Sequence, residues 1–229
     1  GLLSRRRSVD FLADRTKLVR LAVDAGNVDM VHVLLPHADS FSLDASIPVA
    51  IRKGDAQTVE LLLRYGANTG ETADGQDAFR HACAIHGQDQ MISMIVSSVG
   101  RPSPLLVSQA LCDASRSGSL ENVLQLSRST ADGNHNQAEA LISAVKMGRK
   151  DIAVAIIMGN KPPQAPGLNE AFRTLYDHLS LSPRTKLEMA ELLLCAGSSG
   201  ETPARALEQA CKSQSYEMVQ ILAKYQTSI

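Results

Sequence analysis

One phrase recurs along this chain. A helical stretch with a small residue near its end runs into a tight turn, and a second apolar helical stretch follows. The clearest copies span Leu21–Leu35 and Val49–Leu63. Counted from the turn glycine, Ala22 and Ala50 stand four places before it, and Val31, Leu34, Leu35 and Val59, Leu62, Leu63 stand five, eight and nine after it. Gly118 repeats the pattern with Leu111, Ala114, Val123 and Leu126, and Gly148 with Leu141, Ala144, Ala153, Ile156 and Ile157. Gln214 takes the anchor place in a last copy with Leu207, Ala210, Val219 and Leu222. A copy at Gly87, with Phe79 and Ala82 ahead and Ile92, Ile95 and Val96 behind, fits with one residue inserted, and the weakest copy places Thr185 at the anchor before Ala190, Leu193 and Leu194. The anchors 26, 54, 87, 118, 148, 185 and 214 lie 28, 33, 31, 30, 37 and 29 residues apart.

Positions i, i+3 and i+4 share one face of a helix. The Ala ahead of each turn lets a partner helix approach closely. The glycine sits where one helix stops and the next begins, a place that favours positive φ. One such hairpin cannot bury its own apolar face, so a self-repeat of about thirty residues predicts stacked neighbours sharing one core. The expected fold class is therefore all-α, a solenoid of about seven stacked helix-turn-helix repeats. Such a stack usually works as a binding surface.

The second halves of the copies resemble the ankyrin repeat. Val59-Glu60-Leu61-Leu62-Leu63-Arg64-Tyr65-Gly66-Ala67-Asn68 is similar to that family's second helix and its Gly-Ala-Asp/Asn exit, as are Ala190–Gly197 and Leu34–Asp39. Asp74–Ala82 lines up with the family's opening turn, Gly-x-Thr-Pro-Leu-His-x-Ala, with Asp77 in place of Thr, Ala78 of Pro and Arg80 of His. No copy carries an intact Thr-Pro-Leu-His, so the repeats are divergent. The resemblance covers residues 16 to 226 and implies a protein-interaction scaffold that binds through its concave helices and loop tips. Residues 1–15 read as an amino-terminal extension or cap, with a short helix at Ser8–Asp14, and 16–229 as the repeat domain.

Composition agrees with a scaffold. The 229 residues contain 3% aromatics and no Trp, so Ala, Leu, Ile and Val must do the packing. No run of eighteen apolar residues offers a membrane span, and no signal peptide is visible. The chain opens on Gly1 rather than Met and reads as a piece of a larger intracellular protein, of cytoplasm or nucleus. Cys83, Cys112, Cys195 and Cys211 show no paired spacing and read as free buried thiols. His81 and Cys83 sit two apart on a helix and point different ways, so no metal site is expected.

The net charge of −1 is uneven: residues 1–20 carry +4 and residues 21–100 carry −6. Arg52, Lys53, Arg116, Lys146 and Lys212 precede turns, while Asp29, Asp55, Asp89, Glu121, Asp151 and Glu217 follow them. Helix dipoles account for both signs, at about 0.3–1 kcal/mol each. The functional alternative is that Arg52, Arg116, Lys146 and Lys212 form a basic strip that meets an acidic protein partner. Arg5-Arg6-Arg7 suggests a nucleic-acid contact or a nuclear address, but the chain is not basic overall and lacks aromatic clusters for stacking, so nucleic acid ranks below protein. Self-association through apolar end faces is a further alternative.

The loops vary, and specificity would live there. Gly159–Gly167 holds three prolines and is expected to be stiff, extended and able to reach a partner. Leu179–Pro183 lengthens one hairpin turn. No P-loop, GxGxxG, HExxH or GxSxG pattern occurs, so neither catalysis nor a cofactor is expected.

Overall fold

The protein, a computed structural model, is described at residues 17–177 and 181–226. The extension expected over 1–15, its Arg5–Arg7 run and the helix expected at Ser8–Asp14 lie outside the described residues. Residues 17–24 are helical (α1). After them come α2 (Val28–Leu34), a 3₁₀ turn at Leu35–His37, α3 (Ser40–Lys53), α4 (Ala56–Arg64), α5 (Ala73–Ala84), α6 (Asp89–Ser97) and α7 (Pro104–Ser117). The chain continues with α8 (Leu120–Ser127), α9 (His135–Lys146), α10 (Lys150–Ile157), α11 (Ala165–Asp177), α12 (Pro183–Cys195), α13 (Glu201–Lys212) and α14 (Tyr216–Gln226). Among the described residues there is no strand, and no helix is long and apolar enough to cross a membrane.

The helices form two compact units divided between Ala110 and Leu111, inside α7. In the first unit α3 packs on α5, while α2 packs on α4 and α4 on α6. In the second unit α9, α11 and α13 form one layer, and α8, α10, α12 and α14 the other. Each unit is thus a helical tandem repeat with a layer of first helices against a layer of second helices.

The turn between paired helices follows one hydrogen-bond rule. After α3, the Gly54 N–H donates to the Ile51 carbonyl and the Asp55 N–H to the Ala50 carbonyl. The same two bonds recur at Gly26/Asn27, Gly118/Ser119, Gly148/Arg149 and Gln214/Ser215, all between 2.9 and 3.3 Å. This is the Schellman closure of a helix, which needs a left-handed residue at the anchor. Gly54 supplies it with φ +69°. The carbonyl that closes each turn belongs to Ala22, Ala50, Ala114, Ala144 or Ala210, and each of these is at most 6% exposed. The residue after the anchor starts the next helix: Asn27 and Asp55 accept the Met30 and Thr58 N–H groups as caps.

Two turns depart from the rule. After α5 the helix stops on an extended Ile85, whose N–H donates to the Ala82 carbonyl, and Gly87 follows later. That is the inserted residue expected from the sequence. The turn expected at Thr185 is not there. Thr185 lies inside α12, which opens on Pro183 with Ser182 as its cap: the Thr185 N–H donates to Ser182 Oγ at 3.1 Å. Pro183 suits the first helical place because no N–H is needed there, so the lengthened linker ends before it. The face expected behind Thr185 is nevertheless the buried one, with Ala190 and Leu193 fully covered.

The Gly159–Gly167 loop also differs from expectation. Ala165, Pro166 and Gly167 belong to α11, and the rest folds back on the loop at 127–134. The Gly133 N–H donates to the Lys161 carbonyl, the Asn160 N–H to the Ser127 carbonyl, and the Gln164 N–H to Asn134 Oδ1. Backbone and side-chain partners thirty residues away hold this segment, so its prolines do not project it. Side chains on early turns of first helices staple loops in the same way. Asp44 accepts the Asn68 N–H at 2.7 Å, and Asn169 Oδ1 accepts from Ser198 Oγ and the Ser199 N–H.

Of the four thiols, Cys83 and Cys112 are buried as expected, but Cys195 and Cys211 are exposed. Cys195 is the last residue of α12 and Cys211 is exposed near the end of α13.

Gln214 holds φ +55° where the matching turns hold glycine, a conformation that strains an L-residue. Gln214→Gly should raise unfolding stability by about 0.5–1 kcal/mol in denaturant melts; an unchanged or lowered value contradicts the turn assignment. Burial pushes the Asp44 carboxyl above its ordinary 3.8, against the pull of the Asn68 N–H. A raised acid favours the folded state below its unfolded pKa and loses that contribution as pH rises through the folded pKa. Asp44→Asn should therefore gain stability relative to the parent as pH rises from that ordinary value to neutrality, measured by thermal melts across pH.

Candidate partner-binding surface

The four cations singled out in the sequence fall into two kinds. Arg52, in the last turn of α3, donates from both terminal nitrogens to Asp74 Oδ1 on α5, at 2.8 and 2.6 Å. Arg116, in the last turn of α7, binds Asp113 one turn back at 2.9 Å and Glu139 on α9 at 2.7 Å. Both therefore bridge neighbouring first helices. Lys146 and Lys212 end α9 and α13, are exposed, and have no ion pair among the described residues.

All four are last-turn cations, and Asp29, Asp89, Glu121, Asp151 and Glu217 are first-turn anions. The dipole placement thus holds at each of these positions, while α11 and α12 carry neither a first-turn anion nor a last-turn cation. Lys53 adds a link of its own, to the Asp24 carboxylate at 3.3 Å and the Asp24 carbonyl.

The Arg116 cluster perturbs its neighbours. Hydrogen bonds from Asn136 and then Arg116 hold the Glu139 carboxyl below its ordinary range. Burial, with Glu139 close by, pushes the Cys112 thiol up to about 11, so Cys112 stays protonated and unreactive at neutral pH.

Two features escaped the sequence reading. Arg149 reaches back across the turn stack, donating from Nη1 to the Gly118 carbonyl at 3.0 Å while binding Asp151. The available signal was an Arg at the place after the anchor where Asn27, Asp55, Ser119 and Ser215 stand elsewhere. The second is a shallow groove of about 360 Å³ between α1 and α3, in the first unit. Leu21 and Val49 line it beside Lys17, Arg20 and Asp24. Leu21 is 62% exposed. The groove exists because the α1 and α3 residues five places before the anchor point away from the second-helix layer.

Among the described residues no three His, Cys, Asp or Glu side chains come together to hold a metal ion. No family model matches the chain, and no curated protein matches it. Among solved structures the chain is similar to a circular tandem repeat protein with novel repeat topology and enhanced subunit contact surfaces, at 13% identity and a TM-score of 0.24. The match covers 98% of this chain and 52% of that one, so the chain spans about half its length. What identifies a helical repeat here is the recurrence of the turn within the chain itself.

The Arg116–Glu139 bridge is half exposed, so a double-mutant cycle of Arg116→Ala and Glu139→Gln should give a coupling below about 1 kcal/mol. A depressed acid stabilises above its unfolded pKa and loses that contribution as pH falls through the folded value. The coupling should begin to fall as pH drops below the ordinary Glu value of 4.5 and vanish once the depressed folded value is passed; a coupling independent of pH down to strongly acidic conditions would contradict an ionic bridge.

Proposed function

We propose that this chain is a divergent ankyrin-like repeat module of an intracellular protein, and that it binds an acidic protein segment rather than turning over a substrate. The observation that carries this reading is the α1/α3 groove: an apolar floor of Leu21 and Val49 with Lys17 and Arg20 at its edge, while Asp24, which also lines it, is paired with Lys53. Apolar contact there supplies affinity, and the cations select a partner carrying carboxylates. Lys146 and Lys212 are proposed as further contacts in the second unit, because their ammonium groups are exposed. Arg52 and Arg116 are proposed as weaker contacts, since a partner must compete with Asp74 and Glu139 for them.

A second reading, self-association, is favoured by the exposed apolar residues of α1 and α2. Leu18, Leu21, Met30 and Val33 are 50–67% exposed, and neighbouring exposed apolar side chains mark a surface suited to association.

Affinity capture from extract with the parent chain, a Lys17→Glu/Arg20→Glu variant and a Lys146→Glu/Lys212→Glu variant separates these readings. Each variant should stay folded under the assay conditions, with the Lys146→Glu/Lys212→Glu variant melting somewhat lower because it places anions at two helix C-termini. Loss of one captured protein from a reversed bait, with its rebinding shown in purified form, is the expected result. Equal capture by all three baits would overturn the acidic-segment reading. Light scattering that shows mass rising with concentration, abolished by Val33→Asp, would favour self-association.

A further inference from the structure

The second-helix layer of the second unit contains a trough between α8 and α10, of about 600 Å³. Leu120, Leu124 and Arg128 run along one side at every fourth residue, and Lys150, Val154 and Met158 run along the other. The two rows are equivalent stripes of successive repeats. Eight residues of helix span about 12 Å, so the trough is two turns long.

Its apolar floor breaks the chain's own rule. Six places after the anchor, the second helices carry His32, Glu60, Ser93, Glu191 and Gln220, all polar, except at Leu124 and Val154. Those two exceptions are adjacent repeats and line the same trough. Met158 is 79% exposed and Val154 37%.

The neighbouring seams of this layer are straddled by ion pairs. Lys150 meets Glu188 across α10 and α12 at 3.3 Å, and Lys224 meets Glu191 across α12 and α14 at 4.0 Å. Among the described residues no ion pair straddles α8 and α10. The charges around the trough do not cancel: Lys150 is answered by Glu188 and Asp151 by Arg149, while exposed Arg128 has no carboxylate partner among the described residues.

We propose that this trough is a second docking site, separate from the first-helix surface, and that its occupant is an amphipathic helix with a carboxylate at one end. A helix laid between two parallel helices presents apolar side chains at i and i+4 to the floor. That places its Leu, Ile or Met residues against Leu120, Leu124 and Val154, and a Glu or Asp one turn further on beside Arg128. Met158, flexible and polarizable, adapts to the apolar side chain it meets.

The test uses the full chain and an end-capped, Ala-rich helical peptide with Leu at i and i+4 and Glu at i+8. A second peptide has Lys at i+8. Methyl NMR follows Met158 and Val154, and fluorescence anisotropy gives affinities. The expected result is saturable binding of the Glu peptide with shifts at both methyl groups, and affinity for the Lys peptide lower by about tenfold. Arg128→Glu should reverse that preference, and Val154→Asp should weaken binding by about tenfold or more. Met158→Glu, at a mostly exposed place, serves as a second floor variant should Val154→Asp fail to fold. Lys146→Glu/Lys212→Glu should leave peptide binding unchanged, which separates this site from the first-helix surface. Equal affinity for both peptides, binding indifferent to the floor variants, or no binding would overturn the proposal. So would peptide-free self-association abolished by Val154→Asp, because the occupant would then be a second copy.

Discussion

Everything regular in this molecule depends on one closure: a buried alanine carbonyl that accepts the N–H two residues beyond the end of the helix. The bond requires a left-handed residue between donor and helix, and it reverses the chain within two residues. Each such bond contributes about 1 kcal/mol net, which is modest. Its larger effect is geometric. The residue that offers the carbonyl also presents its methyl group to the neighbouring helix, so turn direction and helix spacing are set at one position. A larger side chain there would keep the turn and push the helices apart, losing the close packing on which a core poor in aromatics depends.

Charge patterning was the harder signal because one residue serves two purposes. A cation in the last turn of a first helix faces the carbonyl end of its own dipole and also lies within reach of the next first helix. Arg52 and Arg116 find carboxylates there, on Asp74 and Glu139. Lys146 and Lys212 do not among the described residues. The sequence places all four in the same register, so only the identity of a residue some twenty positions further on separates a structural cation from an exposed one.

The helices, their faces and five of the turns were legible because they are local: spacing and one small residue decide them. Burial of the thiols was only half legible: Cys83 and Cys112 are covered, but Cys195 and Cys211, expected to be buried as well, are exposed. What was not legible involves partners about thirty residues away. The prolines of Gly159–Gly167 suggested an extended arm, yet Asn134 and Asn160 side chains and backbone bonds hold that segment down. Thr185 suggested a turn by register, yet Ser182 and Pro183 start the helix earlier. The α8/α10 trough was visible as two apolar residues breaking a polar column, but only once the repeats are aligned on their turns. The α1/α3 groove had no such mark.

A run of three left-handed residues shows how a repeat absorbs a local conflict. At the start of α9, Asn136, Gln137 and Ala138 hold φ of 49°, 59° and 64°, a left-handed turn that costs L-residues about 1–2 kcal/mol each. It persists because its surroundings over-determine it. Asn136 donates to Glu139, which Arg116 holds from α7. Ala138 is fully buried against Gly167 of α11, where an added Cβ would lie 2.6 Å from the Ala138 methyl. The glycine is thus needed for close approach rather than for its own φ. The strain is local, but the groups that hold it come from the helix before and the helix after. That is the same dependence on neighbours that makes a single hairpin of this chain unable to stand alone.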